Sequence, residues 1–311
     1  MTNKDSVDVV FGTGPLGNAV MSELLVRGKK VRMVNRSGKC DVPKGVEVVM
    51  GDACNHEDVR RVCKGAGVIY NCAKPPYTNW PEEFPPLLEG LIEGAAYSGA
   101  VLVHCDNLYM YGAVDGDITE DLPYKATGKK GSVRTKMSNR LFDAHKSGKI
   151  RMTIGRASDF YGPGVEESSI GTGIFKAAIE GKAAPVLGNV DMPHTYTYIK
   201  DFAKGLVILG ESEEALGEAW HIPSDKTITT RQLISMIYKE AGTTPKFQVA
   251  SRGLVTFLGI FNKTMREFKE MLYLYEKPFV VNHSKFVNKF GDHSTSHIDA
   301  IQQTFKWLKN Q

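Results

Sequence analysis

The most specific chemistry in this sequence lies in Gly12-Thr13-Gly14-Pro15-Leu16-Gly17. A G-x-G-x-x-G run means little alone, but here it follows an apolar β-branched run and opens a helical pattern. In that setting, the free N–H groups and positive dipole end of a helix stabilise a pyrophosphate. Gly12 permits the tight turn, Gly14 lets the backbone approach phosphate oxygens, and Gly17 lets the helix pack on the strand. Pro15 suits the first turn, where no N–H partner is lost.

The next apolar run ends Val34-Asn35-Arg36-Ser37. A carboxylate at this position would accept hydrogen bonds from a ribose 2′-OH. None is present, so nothing repels a 2′-phosphate. Arg36 can pair with that phosphate and stack on adenine, Ser37 can donate a further hydrogen bond, and Lys39 can assist. The expectation is NADP(H) rather than NAD(H). Asp52, followed by Ala53, can accept from the adenine amino group. Ala73 and Lys74 follow a further apolar run, where small residues let the backbone lie against a cofactor.

These residues need a scaffold. Over the first 160 residues, short β-branched runs at Val7–Phe11, Lys30–Val34, Val46–Met50, Val68–Cys72, Val101–Cys105 and Arg151–Gly155 alternate with helical stretches. Continuous apolar strands between helices predict a parallel sheet covered on both faces, a doubly wound α/β fold. The reading divides the chain into a dinucleotide-binding Rossmann domain over 1–168 and a smaller mixed C-terminal substrate lobe over 169–311. Residues 195–222 are expected to return to the Rossmann sheet. Leu254–Tyr275, rich in Phe, Leu, Tyr and Met, reads as a core-packing helix, with a cover for the site mouth or a dimer surface as alternatives. Phe305 and Trp307 anchor a last helix.

Together these features resemble the short-chain dehydrogenase/reductase superfamily, in its extended or atypical, epimerase/dehydratase-like branch. The resemblance runs from Val7 to about Gly242. It rests on Gly12–Gly17, Gly51-Asp52, Tyr111-Gly112, Lys136 and the run Arg156-Ala157-Ser158-Asp159-Phe160-Tyr161-Gly162-Pro163-Gly164. The resemblance implies that Ala157 and Ser158 lie against the nicotinamide ribose and that Lys136 hydrogen-bonds that ribose. It also exposes departures. The first glycine of the family's G-x-x-G-x-x-G is Phe11. Four residues before Lys136 stands Ser132 instead of the Tyr of Tyr-x-x-x-Lys. The family's Ser/Thr position holds Asn107, which can still polarise a carbonyl as a donor.

In the family, a tyrosinate held near neutral pH by the Lys ammonium exchanges a proton with the substrate oxygen. Ser132 is too weak an acid and too short for that. Tyr109 is the first choice to replace the Tyr, with Tyr161, Tyr77, His194 and Lys136 itself as alternatives. His104 reads as a buried, hydrogen-bonded histidine.

The family's diphosphate-clamping Arg is replaced by His194, and Arg231 and Arg252 are later substitutes. The loop Pro75-Pro76-Tyr77-Thr78-Asn79-Trp80-Pro81 would make an apolar wall beside a nicotinamide. The leading reading is an NADP(H)-dependent oxidoreductase acting on a small or apolar carbonyl-type substrate. The alternatives are a nucleotide-sugar epimerase/dehydratase and a non-catalytic NADP(H) sensor or regulatory protein.

Composition narrows the partners. A net charge of +4 over 311 residues is too weak to argue for nucleic acid. Lys129 and Lys130, flanked by glycines, read as a loop. The five cysteines form no Cys-x-x-Cys pair, which points to a reducing, cytoplasmic setting and no disulfide framework. Cys54 and His56 lack a second ligand pair, so no metal is expected. The polar stretch Met1–Asp8 carries no signal-peptide pattern, and no apolar run approaches the ~20 residues of a membrane span. A homodimer is implied only by the family resemblance.

Overall fold

The computed structural model describes residues 6–311, the side chains of 263 and 264 excepted. Residues 1–5 of the polar N-terminal stretch lie outside the described residues. Strands β1 (Val7–Phe11), β2 (Val31–Asn35), β3 (Glu47–Met50), β4 (Ala66–Asn71), β5 (Val101–Asp106) and β6 (Arg151–Arg156) alternate with helices α1 (Pro15–Val26), α2 (His56–Cys63), α3 (Trp80–Ser98) and α4 (Lys129–Lys146). The chain continues with β7 (Phe160–Tyr161), α5 (Thr172–Ile179), β8 (Ala184–Leu187), β9 (Pro193–His194), β10 (Thr197–Tyr198), α6 (Ile199–Glu211), β11 (Ala219–His221), β12 (Ile228–Thr229) and α7 (Thr230–Glu240). The chain closes with β13 (Phe247–Ala250), α8 (Arg252–Phe261), α9 (Lys263–Met271), α10 (Tyr273–Glu276), α11 (Ser284–Phe290) and α12 (His297–Leu308).

The main sheet has seven strands in the order β11-β6-β5-β4-β1-β2-β3, all parallel. This is a Rossmann-type sheet, and the order reverses between β1 and β4. Ligands bind outside the carboxyl ends of the strands at such a switch point. Both sheet faces are covered. Leu91, Leu102, Met137 and Leu141 pack between the sheet and α3 and α4. Val20, Leu24, Val103 and Leu206 pack on the other face, under α1 and α6.

Two expectations change. Of residues 195–222, only Ala219–His221 joins the sheet; β10 pairs with β7 and β9 with β12 in separate two-stranded sheets. Two-residue strands hold too few ladder bonds to extend a sheet, so α6 returns the chain to it instead. Lys130 is not in a loop. It lies in the first turn of α4 and is 1% exposed, because its flanking glycines lie where the chain closes tightly. A Cβ on Gly131 would stand 2.6 Å from the Tyr109 carbonyl.

The tail also differs from a core-packing helix. It forms three short helices, and α8 leaves Phe257 and Phe261 exposed. Phe305 of α12 packs in a core cluster with Phe175 of α5 and Leu233 of α7, and Trp307 lies in the same helix.

Candidate functional site

The phosphate loop is built as its glycines require. Gly12 has φ +98°, and a Cβ there would lie 2.7 Å from Ala73 N. A Cβ on Gly17 would fall 1.9 Å from Gly12 O. Neither position can carry a side chain. Gly14 differs: a Cβ there meets nothing within 4 Å. Its bareness serves no contact within the protein and leaves an open cradle before α1. Pro15 starts α1, whose N-terminus has no side-chain cap, so its first N–H groups remain available to an anion. The loop is braced by Asn35, whose Nδ2 donates to Thr13 Oγ1 at 3.0 Å. These features fit a dinucleotide pyrophosphate.

Asn35 Oδ1 accepts from the Ser37 N–H and hydroxyl, both at 3.0 Å, so it shapes the turn that presents Arg36. Arg36 and Ser37 are exposed. Asp52 Oδ1 accepts from Cys54 N at 2.9 Å, and Ala53 is buried beneath Gly90. Lys74 is exposed and paired with Glu167 at 2.5 Å.

A cavity of about 420 Å³ opens at the carboxyl ends of β1, β4, β5 and β6. Gly14, Pro15, Leu16, Ala73, Lys74, Ala157 and Ser158 line it, as do Asn107 and Tyr109. Asn35, Arg36, Ser37, Asp52 and Ala53 lie outside it. Ser158 Oγ donates to Thr195 O at 2.5 Å, which ties the β6 exit to the segment between β9 and β10. Tyr77 and Trp80 form the apolar wall expected of the proline-rich loop. Trp80 stacks on Tyr109 with ring centroids 6.1 Å apart.

The sequence reading placed Lys136 in this site, and the structure corrects it. Lys136 is exposed, while Lys130, Arg134, Met137 and Ser138 form the buried face of α4. Each helical residue turns about 100°, so a register two residues off lands on the opposite face. Lys130 and Arg134 have the same four-residue spacing as Ser132 and Lys136, and it is they that face inward. Arg134 lines the cavity. Its Nη1 stands 3.2 Å from Asp106 Oδ1, and its guanidinium lies 4.5 Å from the Trp80 ring centroid and 4.2 Å from that of Phe84. Its Nε has no partner among the described residues. Lys130 Nζ lies 4.1 Å from the Tyr77 ring centroid, donates to the Tyr77 carbonyl, and pairs with Glu267 of α9. The signal for both was present: two basic residues four apart, preceded by an aromatic loop that could cover them.

Tyr109 and Asn107 are coupled. Asn107 Oδ1 accepts from Tyr109 N at 3.1 Å, and Asn107 N donates to Asp106 Oδ1 at 2.9 Å. Burial pushes the Tyr109 phenol well above its ordinary pKa, with nearby Asp159 adding to the shift, so it stays protonated. Its hydroxyl makes no hydrogen bond among the described residues. Below, Arg156 is fully buried and donates to Tyr111 OH at 2.5 Å and to Ser138 Oγ at 3.1 Å. Ser138 in turn donates to Asp106 Oδ2 at 3.2 Å. This network holds the carboxylate that orients Arg134.

Of the other proton-donor candidates, Tyr77 also lines the cavity, with its hydroxyl unpartnered among the described residues, while Tyr161 and His194 are engaged elsewhere. Tyr161 is buried and hydrogen-bonded to His297 at 2.9 Å. His194 is buried, with Nδ1 donating to Leu274 O at 3.2 Å and Nε2 lying 3.5 Å from Asp159. Burial alone would raise the Asp159 pKa. The His194 imidazole and hydrogen bonds from Tyr275 and Ser169 outweigh it and hold the carboxyl below its usual range. His104 is buried and bonded to Asn71 at 2.8 Å. Arg231 and Arg252 are exposed and paired with Asp191 and Glu276. Among the described residues, no group of three His, Cys, Asp or Glu could hold a metal, and no helix is long and apolar enough to cross a membrane.

Known proteins place this site in context. Over 244 residues the chain is 28% identical to a mouse sterol-4-alpha-carboxylate 3-dehydrogenase, decarboxylating, covering 74% of this chain and 67% of that protein. The bovine protein of the same name is 27% identical over the same length, covering 74% and 68%. A UDP-glucuronic acid 4-epimerase from Bacillus cereus, solved with UDP-glucuronic acid and NAD, superposes with a TM-score of 0.78 at 18% identity, covering 98% of this chain and 99% of its own. A dTDP-glucose 4,6-dehydratase from Streptomyces venezuelae, solved with NAD, also gives 0.78 at 17% identity, covering 98% and 97%. At such identities the solved structures establish the fold. The model of the NAD dependent epimerase/dehydratase family matches residues 9–222, and with its Rossmann sheet and NAD(P)-type phosphate loop, this chain belongs to that family.

Proposed function

We propose that this chain is an NADP(H)-dependent oxidoreductase of the atypical short-chain dehydrogenase/reductase type, interconverting an alcohol and a carbonyl on a small or apolar substrate. The observation that carries this reading is the cavity itself. An open pyrophosphate cradle at Gly14 leads into a chamber walled by Tyr77, Trp80 and Tyr109, with a single guanidinium, Arg134, in its lining. A nicotinamide bound there supplies or takes the hydride.

The chain's own residues would do the rest. Tyr109, protonated and without a hydrogen-bond partner among the described residues, exchanges a proton with the substrate oxygen. Arg134 cannot titrate in the working range, so it acts by charge, stabilising the oxygen as negative charge develops. Asp106 orients Arg134, and the Asn107 amide remains a donor for the same oxygen. The apolar wall excludes water and strengthens these interactions.

The preference for NADP(H) rests on Arg36 and Ser37 at the end of β2 and on the missing carboxylate there. The epimerase and dehydratase described above were solved with NAD, so the preference is argued from this sequence alone. The mouse and bovine relatives carry names that specify oxidation at a ring carbon of a sterol acid, which agrees with an apolar alicyclic substrate. A nucleotide sugar fits less well, because His194 is turned inward and both Arg231 and Arg252 are held in surface ion pairs.

The test is a calorimetric titration with NADPH and NADH, repeated on Arg36→Ala, followed by turnover on a panel of alicyclic ketones and alcohols. The expected result is tighter NADPH binding, loss of the difference in Arg36→Ala, and turnover of an apolar substrate. Equal affinity for the two would overturn the cofactor assignment. Tight binding with no turnover across the panel would favour a regulatory protein.

A further inference from the structure

Of the large apolar side chains that are exposed, Leu254, Phe257, Leu258, Ile260 and Phe261 all lie within the ten residues of α8. The others, such as Val26, Met50 and Tyr97, are scattered, and scattered exposure is ordinary. Positions 254, 257, 258 and 261 follow the i, i+3, i+4, i+7 pattern and so form one helix face. The opposite face is the one that packs. Val255 and Gly259 are buried, and a Cβ on Gly259 would stand 3.0 Å from Arg266 Cα of α9. The apolar stripe therefore points away from the protein.

The charge around this stripe is predominantly positive. From Ala241 to Arg266 the sequence contains Lys246, Arg252, Lys263 and Arg266 and no Asp or Glu. On α9 the acids turn inward: Glu267 pairs with Lys130, and Glu270 accepts from Lys130 N at 2.8 Å. Arg266 and Lys269 are exposed. Arg252 is held by Glu276 at the start of α8. A symmetric contact between two copies would bring this cationic rim against itself. An apolar face flanked by cations instead matches the headgroup boundary of an anionic bilayer.

We propose that α8 is an interfacial helix that lays Leu254, Phe257, Leu258 and Phe261 into an anionic lipid surface, with Arg266 and Lys269 at the headgroups. The hairpin of α8 and α9 also touches the cavity wall, since Phe268 of α9 stacks on Tyr77 at 5.3 Å. Docking would hold the cavity mouth at the surface where apolar molecules partition. The inference does not depend on the oxidoreductase reading, because lipid binding is measured without turnover.

The full chain is floated with vesicles of phosphatidylcholine alone and with added phosphatidylserine, and its mass is measured by light scattering without lipid. The expected result is a monomer that floats with the phosphatidylserine vesicles at least tenfold better than with phosphatidylcholine alone. The double variant Phe257→Ser/Phe261→Ser should lose flotation while its NADPH titration is unchanged, which also reports that it is folded. Arg266→Gln/Lys269→Gln should weaken anionic binding by about fivefold per cation removed and decides the matter if the serine variant fails to fold. Absence of flotation overturns the proposal, as does flotation indifferent to both variants. A dimer that Phe257→Ser/Phe261→Ser dissociates would assign the face to a second copy.

Discussion

The Arg134 guanidinium lies 3.2 Å from the Asp106 carboxylate, and both side chains are buried at the carboxyl end of β5. Removing one charge leaves the other buried without its partner, at a cost of up to about 3–5 kcal/mol. Arg134→Met should therefore lower unfolding stability by that order and abolish turnover. Arg134→Lys keeps the charge but loses the planar fork that reaches Asp106 while packing against Trp80, so turnover should fall with a smaller loss of stability. Lys136→Ala, on the exposed face of α4, should leave stability within about 0.5 kcal/mol and turnover unchanged. Denaturant unfolding and initial rates on the three variants decide this. Turnover lost in Lys136→Ala but kept in Arg134→Lys would restore the register read from sequence.

Two glycines of the phosphate loop should fail in different ways. Gly17→Ala would drive a methyl to 1.9 Å from Gly12 O, so the helix must shift off the strand. The expected result is a lower Tm together with lost dinucleotide binding. At Gly14 an added methyl meets nothing within 4 Å and φ is −76°, so Gly14→Ala should fold with an unchanged Tm. It should still weaken dinucleotide binding, because the methyl occupies the cradle before α1. A Gly14→Ala protein that binds NADPH and NADH as the parent does would move the pyrophosphate elsewhere.

Why the loop was legible and the catalytic helix was not has a physical answer. Gly12–Gly17 is read from contiguous residues whose backbone demands are local, so its identity survives without any knowledge of packing. The parallel sheet was legible for the same reason, since its buried strands are dominated by apolar residues, with Asp8 the one polar residue in Val7–Phe11 and His104 and Asp106 the buried polar positions toward the end of Val101–Asp106. The register of α4 is a tertiary property. Its inward face includes Lys130 and Arg134, and charged residues on a buried face invert the usual hydrophobic pattern. The compensation that makes this possible comes from far away in sequence: Asp106 and Trp80 for Arg134, Glu267 for Lys130. The α8 stripe misled in the opposite direction, because apolar spacing cannot distinguish a face packed on protein from one left uncovered.

Tyr109 tests the proton path directly. Its phenol lies in the cavity wall against Trp80, so Tyr109→Phe removes one oxygen and no packing. Turnover should fall by about 10²–10⁴-fold, the ordinary contribution of a positioned proton donor. NADPH affinity and Tm should not move, which separates this outcome from a structural defect. Because burial pushes the phenol far above its usual pKa, carbonyl reduction should show no alkaline limb from this group below its ordinary value of about 10. Full turnover by Tyr109→Phe would remove the proton-donor role from Tyr109 and turn attention to Tyr77, which also lines the cavity.

The two buried histidines of the central sheet should make the protein acid-sensitive. Burial lowers His104 to about 4, with the charges of Arg134 and Arg156 adding to it. Burial, reinforced by Arg156, lowers His221 to about 3. His221 is locked neutral by geometry: Nδ1 donates to Asn282 O at 2.9 Å, and Nε2 accepts from Tyr111 OH at 3.0 Å. Below about pH 6.5 the unfolded chain takes up protons at both sites and the folded chain does not. Stability is therefore full above that pH and falls as pH drops toward 4, by at most about 1.4 kcal/mol per pH unit for each group. Asp8 and Asp201 oppose this, since burial raises both to about 6 and favours the folded state at lower pH. The histidine contribution is isolated by comparison with His221→Gln, whose amide can make both hydrogen bonds without titrating. Between pH 6.5 and 5, unfolding free energy should decline less steeply in His221→Gln than in the parent. Parallel slopes would mean that His221 takes up a proton in the folded state, breaking its bond from Tyr111.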